Sequence, residues 1–187
     1  MGIGEVTKAV FLDRDGVLNV AMVRDGRPYP PAGLDQLRIY PEAADALACL
    51  KQAGYLLIVV TNQPDVARGT QSRAAVEAMN AAIGTALPVD EFLVCWHDDG
   101  EGCDCRKPKP GLVMAAAEAH QIDLTQSFLV GDRWRDIDCG AAAGVRTVLI
   151  DRQYRERSAS SAPDHVADSL ASAAAWILKV SKNTPGQ

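Results

Sequence analysis

The 187-residue sequence lacks the features that mark exported, membrane-spanning or low-complexity chains. No basic segment precedes a long apolar stretch at the N-terminus, and no apolar run is long enough to span a membrane. Internal repeats and biased segments are absent from the sequence. We therefore expect a cytoplasmic protein that has no membrane partner.

An excess of basic residues is also lacking. The chain has 19 Lys and Arg against 24 Asp and Glu, a formal net charge of −5, so a nucleic-acid partner is not expected. Apolar residues make up 48% of the chain, enough for the core of a single domain spanning residues 1–187. No long apolar stripe remains outside the predicted core, so we expect a monomer.

A disulfide framework is not expected either. The cysteines number five, which is odd, and no export signal accompanies them. Cys49 and Cys139 lie in alanine-rich helical patterns and are predicted to pack in the core. The remaining three cysteines lie close together in the sequence, which points to another use.

Strand and helix patterns alternate along the chain. Five apolar, β-prone runs predict strands, at 9–12, 55–60, 91–96, 127–130 and 146–150. Helices are predicted at 41–54, 72–87, 110–120, 136–143 and 168–180, and residues 20–40 are predicted to form an irregular flap. Residues 181–187 are expected to fray. This order predicts an α/β fold: a Rossmann-like parallel sheet sandwiched by helices, with its core at about 8–151.

Polar residues follow directly after four of these strands. They are Asp13 and Asp15, Thr61 and Asn62, Cys95 and His97, and Asp132. Because ligands of parallel sheets bind at the carboxyl ends of the strands, we expect these side chains to converge on one edge.

The pair Asp13 and Asp15 suits phosphoryl transfer. One carboxylate can attack phosphorus to give an acyl-phosphate, and the other can protonate the leaving oxygen and later deprotonate water. Taken alone, however, Asp-x-Asp after a strand is also a common solvated turn. The partners of this pair therefore decide its interpretation.

Three further motifs supply such partners. Thr61 and Asn62 can donate hydrogen bonds to phosphoryl oxygens, although an ordinary turn would use them too. Lys107, in a proline-stiffened loop, offers a positive charge to an anionic oxygen. Asp132 could share a hard divalent ion such as Mg²⁺ with Asp13, while Asp136 either supports that ion indirectly or favours the N-terminus of its helix.

A second metal is indicated by Cys95-Trp96-His97, five residues, and Cys103-Asp104-Cys105. Three thiolates and one imidazole suit a closed, tetrahedral Zn²⁺ site. A reduced surface loop without metal is the alternative. We expect structural zinc, because clustered thiols on an acidic loop have little use in packing.

Together, these motifs resemble the haloacid dehalogenase (HAD) superfamily of aspartate-nucleophile phosphohydrolases, over residues 8–151. The resemblance implies that Asp13 is the nucleophile, that Asp15 is the general acid and base, and that Thr61 and Lys107 stabilise the phosphoryl group. It also implies Mg²⁺ bound by Asp13, Asp132 and the backbone carbonyl of Asp15. Residues 20–40 are too short for a cap domain, which leaves specificity to the loops.

The zinc loop followed by Arg106-Lys107-Pro108 resembles the group of D-glycero-D-manno-heptose-1,7-bisphosphate phosphatases and the related histidinol-phosphate phosphatases. That likeness implies Mg²⁺-dependent removal of the C7 phosphate from a phosphorylated sugar, a lipopolysaccharide precursor. It implies substrate contacts from Asn19, Asn62, Gln63, Arg68, Arg106 and Arg133. Pro64 and Asp65 depart from the pattern of the group, and Asp65 adds a negative charge.

Three alternatives stay open from the sequence. Histidinol phosphate as substrate keeps the chemistry and changes the leaving group. A phosphotransferase would pass the phosphoryl group to an acceptor other than water. A zinc-stapled binding module without catalysis would have no need for the complete set of carboxylates, hydroxyl and lysine.

Overall fold

The computed structural model describes residues 6–182 and contains one six-stranded parallel sheet and one two-stranded hairpin. In chain order the strands are β1 (Lys8–Leu12), β2 (Met22–Arg24), β3 (Arg27–Tyr29), β4 (Tyr55–Asn62), β5 (Glu91–Cys95), β6 (Phe128–Gly131), β7 (Arg146–Ile150) and β8 (His165–Ala167). The six-stranded sheet has the order β5-β4-β1-β6-β7-β8. The predicted α/β architecture with a parallel sheet is confirmed.

Five α-helices cover the two faces of the sheet. They are α1 (Ala43–Gln52), α2 (Arg73–Ala86), α3 (Gly111–His120), α4 (Trp134–Ala143) and α5 (Leu170–Lys182). One buried layer joins Val10 and Leu12 of β1 to helices α1 and α5. The other joins Ala9 and Phe11 of β1 to α3 and α4. Successive strand residues point to opposite faces, so the unbroken apolar run of β1 serves both layers.

Strand β1 is also the place where the strand order reverses. It pairs with β4 on one side and with β6 on the other, with Leu12 opposite both Val59 and Val130. From β4 the chain builds outward to β5, and from β6 it builds outward to β7 and β8. The residues after β1 therefore stand at the crevice where parallel sheets bind ligands.

The predicted irregular flap contains regular structure. Strands β2 and β3 form an antiparallel hairpin whose turn is Asp25-Gly26, with φ values of +52° and +76°. Asp-Gly is a strong turn dipeptide for a two-residue hairpin loop, so the sequence did carry this information. The prolines at 28, 30 and 31 had favoured a loop interpretation, but Pro28 occupies an edge strand, where no donor is missed.

Three other expectations differ from the structure. The sheet gains a sixth strand, β8, whose three residues are too few for a recognisable pattern. Cys139 is buried as predicted, whereas Cys49 is exposed because it lies on the outer side of α1. Ser181 and Lys182 continue α5 rather than fray, and residues 183–187 lie outside the described part of the chain. No helix within residues 6–182 is long and apolar enough to cross a membrane.

Helix α5 packs in the buried layer that also contains β1 and α1. Ile177 is completely buried, and the neighbouring Trp176 packs edge-on against Phe128 of β6. Replacing Ile177 with Ala should lower the free energy of unfolding by about 2–5 kcal/mol, because it removes buried methylene groups and leaves a cavity. Lys179→Ala, exposed on the same helix, should change it by less than about 0.5 kcal/mol. Equal urea midpoints for the two variants would contradict the assigned packing of α5.

Candidate active site

A cavity of about 770 Å³ opens at the carboxyl edge of the sheet. Its lining includes eight of the residues that sequence reasoning assigned to catalysis or substrate: Asp13, Asp15, Thr61, Asn62, Arg68, Arg106, Lys107 and Arg133. Asn19, Gln63 and Asp132 are buried and do not line it. A volume of this size accommodates a small metabolite.

Lys107 lies at the floor of the cavity and joins two carboxylates. Its Nζ donates to Asp13 Oδ1 at 2.8 Å and to Asp136 Oδ1 at 2.5 Å, and its side chain is buried. Burial alone would lower the pKa of Lys107, but the charges of Asp13 and Asp136 raise it. Lys107 therefore stays an ammonium ion and holds Asp13 in place.

Asp13 itself experiences opposing effects. Burial raises its pKa to about 6, and Asp136 and Asp15 add to that rise, whereas Lys107 lowers it. Its backbone N–H donates to the Val130 carbonyl at 2.9 Å, which fixes the residue beside β6. A further cation near Asp13 would favour its ionised, nucleophilic form.

Asp132 provides the place for such a cation. Both of its carboxylate oxygens are buried and lack a well-formed hydrogen bond within residues 6–182. Burial raises the pKa of Asp132, and the charges of Asp13 and Asp136 raise it further. Carboxylate oxygens of Asp13, Asp132 and Asp136 all lie within 4.8 Å of one another. This set of hard oxygen donors fits a divalent ion such as Mg²⁺.

Asp136 has two further contacts besides its place in this group. Its Oδ2 accepts from the backbone N–H of Arg133 at 3.1 Å, which caps the N-terminus of α4. Its Oδ1 accepts from Lys107. The expectation that this carboxylate favours the positive end of its helix agrees with this geometry.

The Asp15 carboxylate accepts hydrogen bonds from three side chains. Arg14 Nη2 donates to its Oδ2 at 2.9 Å, Asn19 Nδ2 to its Oδ1 at 2.9 Å, and Gln63 Nε2 to its Oδ2 at 2.9 Å. Asn19 and Gln63 were predicted to touch the substrate, but both are fully buried and face Asp15. They orient a carboxylate that itself lines the cavity. The folding of the 14–19 turn back onto Asp15 explains the difference.

Arg14 contacts the predicted general acid Asp15, and the sequence analysis assigned it no role. Its side chain is completely buried, and Nη1 donates to Asn80 Oδ1 of α2 at 2.9 Å. A fully buried arginine requires partners for its charge, and Asp15 is that partner. An arginine between two aspartates at the end of an apolar strand was the available sequence signal.

Thr61 and Asn62 lie at the end of β4, next to β1. Thr61 Oγ1 accepts from Gln63 Nε2 at 3.1 Å, which leaves the hydroxyl proton free for an acceptor in the cavity. Asn62 donates to the Lys107 carbonyl and accepts from the Lys107 N–H, both at 3.0 Å. Asn62 was predicted to contact substrate, but its side-chain amide instead forms both hydrogen bonds with the backbone of Lys107 and holds this loop.

The three arginines predicted to bind substrate all reach the cavity wall, and each is paired with an acid. Arg68 contacts Asp98 and Asp65, Arg106 contacts Asp99, and Arg133 contacts Glu156. Asp65, the departure from the pattern of the group, lies with its Oδ1 3.3 Å from Arg68 Nη1, so it shares this arginine with Asp98.

Beside the cavity lies the cysteine and histidine cluster. The donor atoms of Cys95, His97, Cys103 and Cys105 lie within 4.8 Å of one another. Cys95 Sγ is 3.8 Å from Cys103 Sγ and 3.2 Å from Cys105 Sγ, near the separation of about 3.8 Å expected for thiolates around tetrahedral zinc. Burial, with a contribution from Cys105, raises the pKa of the Cys95 thiol to about 12. All five cysteines are free thiols rather than disulfides.

Fold and site together define a class. The parallel α/β sheet presents Asp13 and Asp15 on either side of the buried Arg14, a strand-end threonine, a buried lysine and a further acidic pair. This is the arrangement expected of an aspartate-nucleophile hydrolase. A family profile described as HAD-hydrolase-like matches residues 104–173.

Relatives define the family more closely. The chain is 38% identical to a D-glycero-β-D-manno-heptose-1,7-bisphosphate 7-phosphatase of Pseudomonas putida, over 81% of this chain and 86% of the relative. It is 34% identical to the protein of that name from Salmonella typhi, over 93% and 97%. The crystal structure of a D,D-heptose 1,7-bisphosphate phosphatase from B. bronchiseptica, complexed with magnesium and phosphate, superposes with a TM-score of 0.80, at 30% identity and with 94% and 99% of the two chains covered. The chain belongs to the HAD superfamily and is a phosphatase.

The buried contact between Arg14 and Asp15 can be tested through stability. Arg14→Ala should lower the free energy of unfolding by about 3–5 kcal/mol, because it removes the cation that pairs with Asp15 and the donor to Asn80. Arg24→Ala, an exposed arginine of the hairpin, should change it by less than about 0.5 kcal/mol. Urea unfolding measures both, and a small loss for Arg14→Ala would show that the contact contributes little.

Proposed function

We propose that this phosphatase removes the C7 phosphate of D-glycero-D-manno-heptose 1,7-bisphosphate. The relatives that match most of the chain carry the name of this activity. The structural observation behind the proposed chemistry is the Lys107 ammonium that bridges Asp13 and Asp136 beside the buried carboxylate of Asp132.

The residues divide the reaction between them. The Asp13 carboxylate attacks phosphorus, the ester bond breaks, and Asp15 donates a proton to the leaving sugar oxygen. Asp15, now a carboxylate, takes a proton from the water that hydrolyses the aspartyl-phosphate. Arg14, Asn19 and Gln63 orient Asp15 throughout, whereas Lys107 and the Thr61 hydroxyl stabilise the phosphoryl oxygens.

Two metals belong to this proposal. Asp13, Asp132 and the backbone carbonyl of Asp15 would hold Mg²⁺, with Asp136 nearby, and this ion would neutralise the carboxylates that otherwise repel a phosphate. Cys95, His97, Cys103 and Cys105 would hold a structural Zn²⁺. The zinc cluster ends two residues before Lys107, so it would fix the loop that carries the catalytic lysine.

Replacement of the nucleophile tests the reaction. Asp13→Asn should reduce kcat by about 10³-fold or more, because the amide does not attack phosphorus. Asp45→Asn, exposed on α1, is the matched control and should keep full activity. Phosphate release is measured with Mg²⁺ on both anomers of heptose 1,7-bisphosphate, on histidinol phosphate and on p-nitrophenyl phosphate.

The outcomes separate the alternatives. Highest kcat/KM on a heptose bisphosphate supports the proposed substrate, whereas highest kcat/KM on histidinol phosphate overturns it and keeps the chemistry. Undiminished turnover by Asp13→Asn would remove Asp13 from the mechanism. Absence of hydrolysis on every ester would favour a binding module.

Removal of zinc tests the metal cluster. The purified protein and Cys49→Ala should contain about one equivalent of zinc, and Cys105→Ala should contain almost none. We expect Cys105→Ala to lose about 3 kcal/mol of stability, a fall in Tm of roughly 6–12 °C for a chain of this size. Elemental analysis and thermal unfolding measure both quantities. Zinc-free wild type with an unchanged Tm after chelation would refute the site.

A further inference from the structure

Most of the arginines around the active-site cavity are already neutralised. Each forms an ion pair with a nearby carboxylate, and five arginines face five carboxylates: Arg68 pairs with Asp65 and Asp98, Arg106 and Arg135 with Asp99, Arg133 with Glu156, and Arg157 with Asp138. At the floor of the cavity, Lys107 is likewise occupied by Asp13 and Asp136. These groups therefore add little net positive charge for a second anionic group of the substrate.

Arg27 and Arg155 are different. Both line the cavity, and both are exposed. Within residues 6–182, neither side chain forms an ion pair or a hydrogen bond with another residue. Asp25, the acid nearest to Arg27 in the chain, does not line the cavity. Two uncompensated guanidinium groups therefore face the same space as the catalytic aspartates.

The backbone ties these two arginines to one part of the cavity wall. The Arg155 N–H donates to the Gly26 carbonyl at 2.7 Å, and Arg27 follows Gly26 directly. A Cβ added to Gly26 would lie 2.7 Å from Cγ of Arg155, so the stem of this arginine packs against the hairpin turn. The hairpin and the segment carrying Arg155 are thus joined where their guanidinium groups reach the cavity.

We propose that Arg27 and Arg155 form a subsite for the second phosphate of the substrate, the one that is not hydrolysed. This subsite rests on the proposed function, since it requires a bisphosphorylated substrate whose other phosphate lies at Asp13. A guanidinium group can donate two parallel hydrogen bonds to phosphate oxygens, and its charge persists at any physiological pH. The cavity of about 770 Å³ is large enough for a seven-carbon sugar with two phosphates.

The hairpin thereby acquires a function that an irregular flap would not have. In a fold without a cap domain, the catalytic groups recognise only the reacting phosphate, and the wall must recognise the rest. The Asp25-Gly26 turn aims Arg27 at the cavity, and the close contact at Gly26 leaves no space for a larger residue beside Arg155. Arg27 and Arg155 then discriminate a bisphosphate from a monophosphate through charge.

The test compares two ligands that differ only in this phosphate, heptose 1,7-bisphosphate and heptose 7-phosphate. We measure kcat/KM for both with the Mg²⁺-loaded full chain, for wild type, Arg27→Gln, Arg155→Gln and the double variant. Each single substitution should lower the ratio of bisphosphate to monophosphate kcat/KM by about tenfold, and the double variant by more, mainly through KM. Arg24→Gln is the matched control, because Arg24 lies exposed on the same hairpin outside the cavity and should leave the ratio unchanged.

A binding measurement separates failure of this subsite from failure of the proposed function. Calorimetric Kd values for both ligands are determined in an Asp15→Asn background, in which the proposed acid is absent and turnover is slow. If wild type does not hydrolyse the bisphosphate but Arg27→Gln and Arg155→Gln still weaken its binding selectively, the proposed function fails and the subsite stands. If the ratio and the Kd values of the double variant equal those of its parent, the subsite is overturned.

Discussion

The buried ammonium of Lys107 between Asp13 and Asp136 is the interaction on which the rest of the site depends. Three carboxylates crowd the crevice beside β1, since Asp132 joins these two, and one lysine leaves two negative charges uncompensated when all are ionised. Unpaired buried charge is costly, and burial accordingly raises the pKa values of Asp13 and Asp132. A divalent cation has the charge that balances this remainder. The demand for a metal is therefore built into the fold before any substrate arrives.

Lys107 does not reach this place through regular secondary structure. It lies in the stretch between β5 and α3, where a short turn of helix at Asp99–Glu101 is the sole helical element. The cysteine and histidine cluster brings residues before Lys107 close together, and Asn62 holds the backbone of Lys107 with two hydrogen bonds. The cluster and the two hydrogen bonds from Asn62 thus hold the loop that carries Lys107 in place of regular secondary structure. A metal held by this cluster would therefore stabilise the loop that carries Lys107.

Local sequence patterns predicted most of the strands and helices of the fold. The apolar runs of β1 and β4, the Ser72 cap of α2 and the glycine that ends α4 are determined by near neighbours, and each agrees with the structure. What the patterns could not supply was the choice of partner for a buried polar group. Asn19 and Gln63 have side chains suited to a substrate, yet both turn to Asp15, because the fold brings that carboxylate within 2.9 Å of each. Strand β8 was not predicted for another reason, since its three residues form a strand by pairing with β7, which is distant in the sequence.

The cavity wall has two kinds of arginine, those paired with a carboxylate and those without such a partner, and the two kinds contribute differently to recognition. An arginine paired with a carboxylate is held in a fixed direction, but its field largely cancels at a distance, so it contributes shape and hydrogen-bond geometry rather than attraction. An unpaired arginine attracts anions over a longer range but is less ordered. Arg68 illustrates the first kind, because Asp65 and Asp98 both pair with it and hold its guanidinium group in place. Specificity in this capless fold thus depends on which arginines of the loops have no carboxylate partner. The net charge of the chain is negative and does not reveal this, because it says nothing of which side chains pair.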